Sequence, residues 1–333
     1  MNTLFVLLDG MEDDPNPHLN GKKPYEVAKM PFLYSKAKHK MYTTGRGYTQ
    51  LYLNEFFTGY PPDTSRAALE AQGFGLDMKN GRTAYRLSPA YINNGMIHWA
   101  YGMNDADVEN IVISMKKHLH LLDKYDPDIR FFTSGRAVLT IQCDNSVDYP
   151  APPVDAPYKE VPGELKTVFD NIAKDMNGLT YNPWGVGKLG KQYPPFPCIE
   201  NMTAVSDSPT ALGVAAALGH KTYLINNVDE RFPVAKEALK HGHVFLHIDE
   251  VDEYSHEKDH NKKIKILEHT DELMSEYFSD EDNIVYFVDH GTSCVTGEHI
   301  LMTVPFWTSI ETDMKDGDMI PLDQIVKRIL KQN

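Results

Sequence analysis

Residues 3–10 read Thr3-Leu-Phe-Val-Leu-Leu-Asp9-Gly10, a short apolar run that stops abruptly at a carboxylate and a glycine. Its length and its aromatic and β-branched content are those of a strand buried on both faces. A second run of the same kind, Asn283-Ile-Val-Tyr-Phe-Val-Asp289-His290-Gly291, ends in a carboxylate, an imidazole and a glycine. Working outward from these two, similar runs lie at Lys221–Asn226, Val244–Ile248 and Ile300–Phe306. Between them stand helical patterns. The proline at the start of Pro24–Lys40 suits a first helical turn, and Ser208–Leu218, Pro233–Lys240, Asn261–Tyr277 and Asp323–Leu330 follow. Strand alternating with helix predicts an α/β fold, a mostly parallel sheet flanked by helices.

The alternation fails between 79 and 192. Strand-like pieces at Arg82–Leu87, Ile129–Phe132 and Ala137–Gln142 mix there with helices at Asp105–Asp123 and Gly163–Asp175. Proline clusters sit at Tyr149–Pro153 and Pro194–Pro197. We read residues 1–78 and 193–333 as one core domain and 79–192 as a smaller inserted α+β cap, with Pro194–Pro197 near the return hinge.

Bulk properties narrow the function. The 333 residues carry 33 Lys+Arg against 47 Asp+Glu, a net charge of −14, which argues against nucleic acid or an anionic membrane surface as partner. It leaves an anionic substrate open, because bound cations reverse the field locally. Cys143, Cys198 and Cys294 are far apart and form no C-x-x-C pair, which fits a reducing compartment. The N-terminal run is too short for a signal segment and no stretch has membrane-spanning length, so a cytoplasmic protein is expected.

Chemistry is suggested by where the acidic residues fall. Asp9 and Asp289-His290 end strands, the pair Asp252-x-x-x-His256 follows Val244–Ile248, and His299 sits at the start of the last apolar run. Any one of these reads equally well as a surface residue, a cap or a turn former. Together they matter, since ligands of open parallel sheets bind beyond the carboxyl ends of the strands. Carboxylates with imidazoles suit zinc, manganese or a similar divalent ion, and two ions about 3.5–4 Å apart would clamp a phosphoryl displacement.

Four segments carry a resemblance. LLDGMEDDPNPHLNGKKPYEVAKMPFLYSKAK, ALEAQGFGLDMKNGRTAYRLSPA, HIDEVDEYSHEKDHNKKIKILEHTDE and VDHGTSCVTGEHILMTVPF stand in the order found in archaeal-type 2,3-bisphosphoglycerate-independent phosphoglycerate mutases, within the alkaline phosphatase superfamily. The chain resembles that family at both ends and only weakly across the cap. The resemblance implies two divalent ions, Mn²⁺ or Zn²⁺, one held by Asp252, His256 and His299 and the other by Asp9, Asp289, His290 and the nucleophile. Where the family has a serine in G-S-D-T-A-H-L, this chain has GYTQLYLNEFFTGY, and Thr49 is the expected nucleophile and ligand. Asn54, Arg86, Arg136 and Lys188 are expected to contact substrate, a guanidinium fork being matched to phosphate and carboxylate. Arg46 and Arg66 read equally as salt-bridging surface.

The implied activity is phosphoryl transfer on a small phosphorylated metabolite through a phosphothreonine. Discharge to a second hydroxyl would make the protein an isomerase, and discharge to water a hydrolase. Another phosphomonoester, a phosphonate-related compound or a phosphodiester fits the same chemistry, whereas the C/S-x-P-x-R segment of sulfatases is absent. A reading of another class is a metal-binding relative without activity, suggested by the altered nucleophile segment. Oligomeric state is not legible.

Overall fold

The computed structural model describes residues 2–79, 81–152 and 154–331. Met1, Asn80, Pro153, Gln332 and Asn333, which the expected domain ranges include, lie outside the described residues. The chain divides into two compact units, residues 1–62 with 193–333, and residues 63–192.

The first unit is built on a seven-stranded sheet. Its strands in chain order are β1 (Leu4–Leu8), β2 (His39–Thr44), β3 (Met202–Ser206), β4 (Lys221–Leu224), β5 (His243–Ile248), β6 (Ile284–Phe287) and β7 (Thr303–Thr308). They lie side by side in the order β4-β3-β5-β1-β6-β7-β2. Pairing is parallel from β4 through β6, and β7 runs antiparallel to both of its neighbours. The mostly parallel α/β class expected from the sequence is therefore the class observed. β1 is central and wholly buried, as five consecutive apolar residues require of a strand covered on both faces. Phe56 stacks on Phe287 at 4.4 Å and Phe5 meets Phe57 edge-on at 6.0 Å, which fastens helix α1 (Thr49–Thr58) to the sheet.

Several elements differ from the sequence reading. The single helix expected over Pro24–Lys40 is two short helices, Pro24–Val27 and Pro31–Lys36, followed by β2. Pro31 has no N–H to continue a helix, and it pushes Met30 out of the helical region, to φ −122° and ψ 62°. The helix expected from Pro233 begins earlier, at Val228, under an Asn227 side chain that accepts from the Asp229 N–H. Helices α2 (Glu250–His256) and α3 (His260–Phe278) follow β5.

The second unit holds an antiparallel sheet in which Thr83–Asn93 pairs with Ala137–Ile141, Met96–Trp99 and Leu179–Gly187. Helices Asp105–His118 and Gly163–Asp175 bury Ile111, Val168 and Phe169 against Leu87, Leu139 and Tyr181. This unit starts at Asp63 rather than at the expected Lys79. The reason is helix Arg66–Gly73, whose alanine face (Ala67, Ala68, Ala71) packs on Ala84 and Val138 of the same sheet.

Candidate metal centre

Three polypeptide turns beyond the carboxyl ends of β1, β5 and β6 build the site. Asp9 directly follows β1, and Leu7 stands in register with His247 of β5 and Phe287 of β6. Asp289 lies just past β6, so Asp9 and Asp289 leave neighbouring parallel strands at the same level. The turn after β1 needs Gly10, which adopts φ +58° and donates its N–H to Asp289 Oδ1 at 3.2 Å. A side chain here would run into the Asp252 carboxylate and the Thr292 hydroxyl. Asp252 and His256 sit one turn apart on α2, close enough for Asp252 Oδ2 to lie 3.0 Å from His256 Nε2.

The residues of this unit selected from the sequence as metal ligands converge. His290 Nε2 is 3.2 Å from Asp9 Oδ1 and 3.2 Å from Asp289 Oδ2. His299 Nε2 is 3.1 Å from His256 Nε2 and 3.7 Å from Asp252 Oδ2, and its ring stacks on His290 at 4.1 Å. Thr49 opens α1, with Oγ1 3.3 Å from Asp9 Oδ2 and 3.4 Å from His290 Nε2. Among the described residues, Asp9–Asp289–His290 and Asp252–His290–His299 each present three ligand atoms close enough together for one ion.

The electrostatics are those of a site short of positive charge. Burial alone would raise the Asp9 pKa, but the hydrogen bond from His247 and the nearby His290 imidazole hold it below the usual carboxylate range. Asp289, buried and facing the Asp9 charge, is pushed up to about 6. Burial opposes protonation of His290, yet Asp289 and Asp9 draw it up to about 10; Asp252 likewise draws His256 up to about 9. Protons on imidazoles here stand in for cations.

Two further observations show that the donor set fits divalent ions. Asp9 Oδ1 and Asp289 Oδ2 are buried without a hydrogen-bond donor. In addition, Nδ1–H of His256 donates to the Gly297 carbonyl at 2.7 Å, and Nδ1–H of His299 to the Gly47 carbonyl at 2.8 Å. Those bonds turn both Nε2 atoms inward, 3.1 Å apart, where either a proton on His256 or a bound cation keeps the two lone pairs from opposing each other.

The other expected residues have different surroundings. Asn54 is buried within α1 and donates to the Tyr60 carbonyl at 2.8 Å, a helix-end role that a substrate contact would have to share. Arg86 is buried in the second unit, ion-paired with the fully buried Glu70 and stacked on Trp184 at 4.9 Å. Arg136, also in that unit, donates to the Thr133 carbonyl at 3.0 Å and lies over Phe132. Lys188 pairs with Asp144 at 3.1 Å. Arg46 and Arg66 form salt bridges, with Glu55 and Glu70.

Sequence reasoning missed two residues of the site. Thr292 hydrogen-bonds the Asp252 carboxylate and lies 3.1 Å from His290 Nδ1, tying the two ligand groups together. His247, fully buried in β5, lies 2.7 Å from Asp9 Oδ2. A histidine inside the apolar run Val-Phe-Leu-His247-Ile was the available signal, since burying an imidazole without a partner is costly.

Residues 202–326 match the family model described as Metalloenzyme superfamily. A 2,3-bisphosphoglycerate-independent phosphoglycerate mutase of Picrophilus torridus is 22% identical over 372 aligned positions, covering 96% of this chain and 91% of that protein. Among solved structures, a protein of Pyrococcus horikoshii superposes with a TM-score of 0.72 at 18% identity, covering 99% of this chain and 97% of that one. A cofactor-independent phosphoglycerate mutase of Thermoplasma acidophilum superposes with a TM-score of 0.58 at 17% identity, covering 99% of each chain.

Proposed function

We propose that this chain, which resembles the archaeal-type 2,3-bisphosphoglycerate-independent phosphoglycerate mutases of the alkaline phosphatase superfamily, is a divalent-metal-dependent phosphomutase acting on a small phosphorylated metabolite. Asp252, His256 and His299 would hold one ion and Asp9, Asp289, His290 and Thr49 a second, Mn²⁺ or Zn²⁺. Ions bound there would supply Lewis acidity, easing loss of the Thr49 proton and offsetting charge on the phosphoryl oxygens.

The remaining work falls to the chain itself. Thr49 Oγ1 bonds to phosphorus while the bond from phosphorus to the substrate's ester oxygen breaks. The hydroxyl proton has an acceptor in Asp9 Oδ2 at 3.3 Å, and the departing oxygen takes up a proton from water as it leaves. As the first residue of a ten-residue helix, Thr49 has around it backbone N–H groups with no intrahelical acceptor, suited to phosphoryl oxygens. The phosphothreonine is then discharged to a hydroxyl of the same metabolite. Asn54, Arg86, Arg136 and Lys188 are proposed as substrate contacts.

The observation carrying this reading is the threonine hydroxyl lying between Asp9 and His290. The test is interconversion of 3- and 2-phosphoglycerate, alongside p-nitrophenyl phosphate hydrolysis, with Mn²⁺ or Zn²⁺. Thr49→Ala should abolish both activities, and mass spectrometry of quenched wild-type enzyme should find phosphate on Thr49. Undiminished activity in Thr49→Ala rejects the nucleophile. Hydrolysis without interconversion makes the protein a phosphatase, and inactivity with either metal favours a binding protein.

A further inference from the structure

We infer that His247 is a positioning residue that fixes the Asp9 carboxylate through a hydrogen-bond chain from Ser206, leaving Asp9 Oδ1 as the oxygen offered to an ion. This rests on the reading of Asp9 as an ion ligand.

The chain of donors can be followed atom by atom. The Ser208 N–H donates to Ser206 Oγ at 2.8 Å. Ser206 Oγ is 2.7 Å from His247 Nδ1, and His247 Nε2 is 2.7 Å from Asp9 Oδ2, with Ser206 and His247 fully buried. An ionised carboxylate only accepts, so the proton of that last bond belongs to Nε2. Ser206 Oγ, held by the Ser208 N–H, anchors the ring at Nδ1, so both ring nitrogens are engaged and the imidazole is fixed in place.

The consequence lies in which oxygen is used. Oδ2 receives the His247 proton and the Thr49 hydroxyl, at 2.7 and 3.3 Å. Oδ1 receives no hydrogen bond and faces His290 Nε2 at 3.2 Å, beside Asp289. A carboxylate clamped on one oxygen cannot rotate, and it presents the other already aimed and already desolvated. Ligand atoms held this way spend less on ordering when an ion binds, which is how partners behind a ligand raise affinity. His247 is held in turn by the sheet, since β5 is paired on both sides by β1 and β3.

A competing role is available on the same atoms. His247 Nε2 is 3.6 Å from Asp249 Oδ1, and Asp9, His247 and Asp249 form a third group able to hold an ion. In that role Nε2 would lose its proton and ligate directly. The two roles differ in ion count.

The experiment is a Mn²⁺ titration of the full chain read by electron paramagnetic resonance of free Mn²⁺, giving affinity and ions per chain. The wild type is compared with His247→Ala, His247→Gln and Ser206→Ala, with circular dichroism confirming the folded state. His247→Ala should weaken Mn²⁺ binding about 10–100-fold with the number of ions per chain unchanged. His247→Gln, whose amide keeps an N–H for Asp9, should recover most of that loss. Ser206→Ala, a small change that keeps the strand, should weaken binding several-fold and carries the test if His247→Ala fails to fold. In turnover, kcat should fall while KM for substrate holds. Unchanged affinity in Ser206→Ala and the folded His247 variants overturns the inference, and so does loss of one ion per chain in a His247 variant. Absence of Mn²⁺ uptake by the wild type overturns the proposed function as well, and that arm is read first.

Discussion

The Lys263 ammonium lies 2.9 Å from the Asp13 carboxylate, and both side chains are fully buried. Lys263 also donates to the carbonyls of Gly10 and Thr292, at 2.9 and 3.1 Å, while Asp13 accepts from the Cys294 N–H. One side chain of α3 therefore pins the turn after β1 to the segment after β6, the two backbones that carry Asp9 and Asp289. Lys263→Met removes one partner of a buried pair and leaves a charge uncompensated. Stability should fall by about 3–5 kcal/mol. Denaturant unfolding checks it, and adding Asp13→Asn should recover part of the loss. A Lys263→Met protein as stable as wild type would mean the pair carries no such weight.

Gly10→Ala should destroy the site at modest cost to the fold. The backbone there has φ +58°, which costs an L residue about 1–2 kcal/mol. The larger effect is local, because a methyl group would displace the Asp252 carboxylate and the Thr292 hydroxyl. Activity should drop by roughly two orders of magnitude or more, as expected when reacting groups move by about an ångström. Mn²⁺ affinity should fall with it, and wild-type affinity in Gly10→Ala would refute the packing argument.

That site was legible in the sequence to the extent that it sits at strand ends. Apolar runs stopping at Asp9-Gly10 and Asp289-His290-Gly291 pointed to a buried parallel sheet and to candidate ligands beyond it. Elements lacking a clean pattern were missed. β2, His39-Lys-Met-Tyr-Thr-Thr44, is a half-exposed edge strand of mixed polarity. Leu179–Gly187 contains Pro183 and Gly185, which conceal its pairing with Thr83–Asn93. The partners of the ligands were harder still. The Gly47 and Gly297 carbonyls that orient His299 and His256 are backbone atoms of loops, and no residue type marks them.

His220 predicts an acid weakness unrelated to the metal centre. Burial pushes its imidazole down to about 4, so the folded chain refuses a proton that the unfolded chain accepts near pH 6.5. The sign follows: stability contributed by the neutral ring is complete above about pH 6.5, is lost as pH falls toward 4, and changes no further below that. The span corresponds to about 3 kcal/mol. The stability difference between wild type and His220→Gln, measured by denaturant unfolding from pH 7.5 to 4, should shift by that order in favour of the variant. A pH-independent difference would exclude His220 as the cause.

Asp289→Asn should change stability in opposite directions with and without metal. In the chelated protein, Asp289 and Asp9 are two buried carboxylates sharing one imidazole, and burial with the Asp9 charge pushes Asp289 up to about 6. Its ionised form is therefore penalised in the fold, and the stability present below the unfolded value near 3.9 is lost as pH rises through 6. At pH 7.5 that penalty is about 2–3 kcal/mol. Asparagine removes the charge and keeps an oxygen for the N–H groups of Gly10 and His290, which Oδ1 accepts at 3.2 and 3.0 Å. Stability in EDTA should rise accordingly. With Mn²⁺ at a hundred times its dissociation constant the wild type should gain about 2.7 kcal/mol, and the variant should gain far less. An Asp289→Asn protein weaker than wild type in EDTA would show that the carboxylate stabilises the fold, and that no charge deficit awaits a cation there.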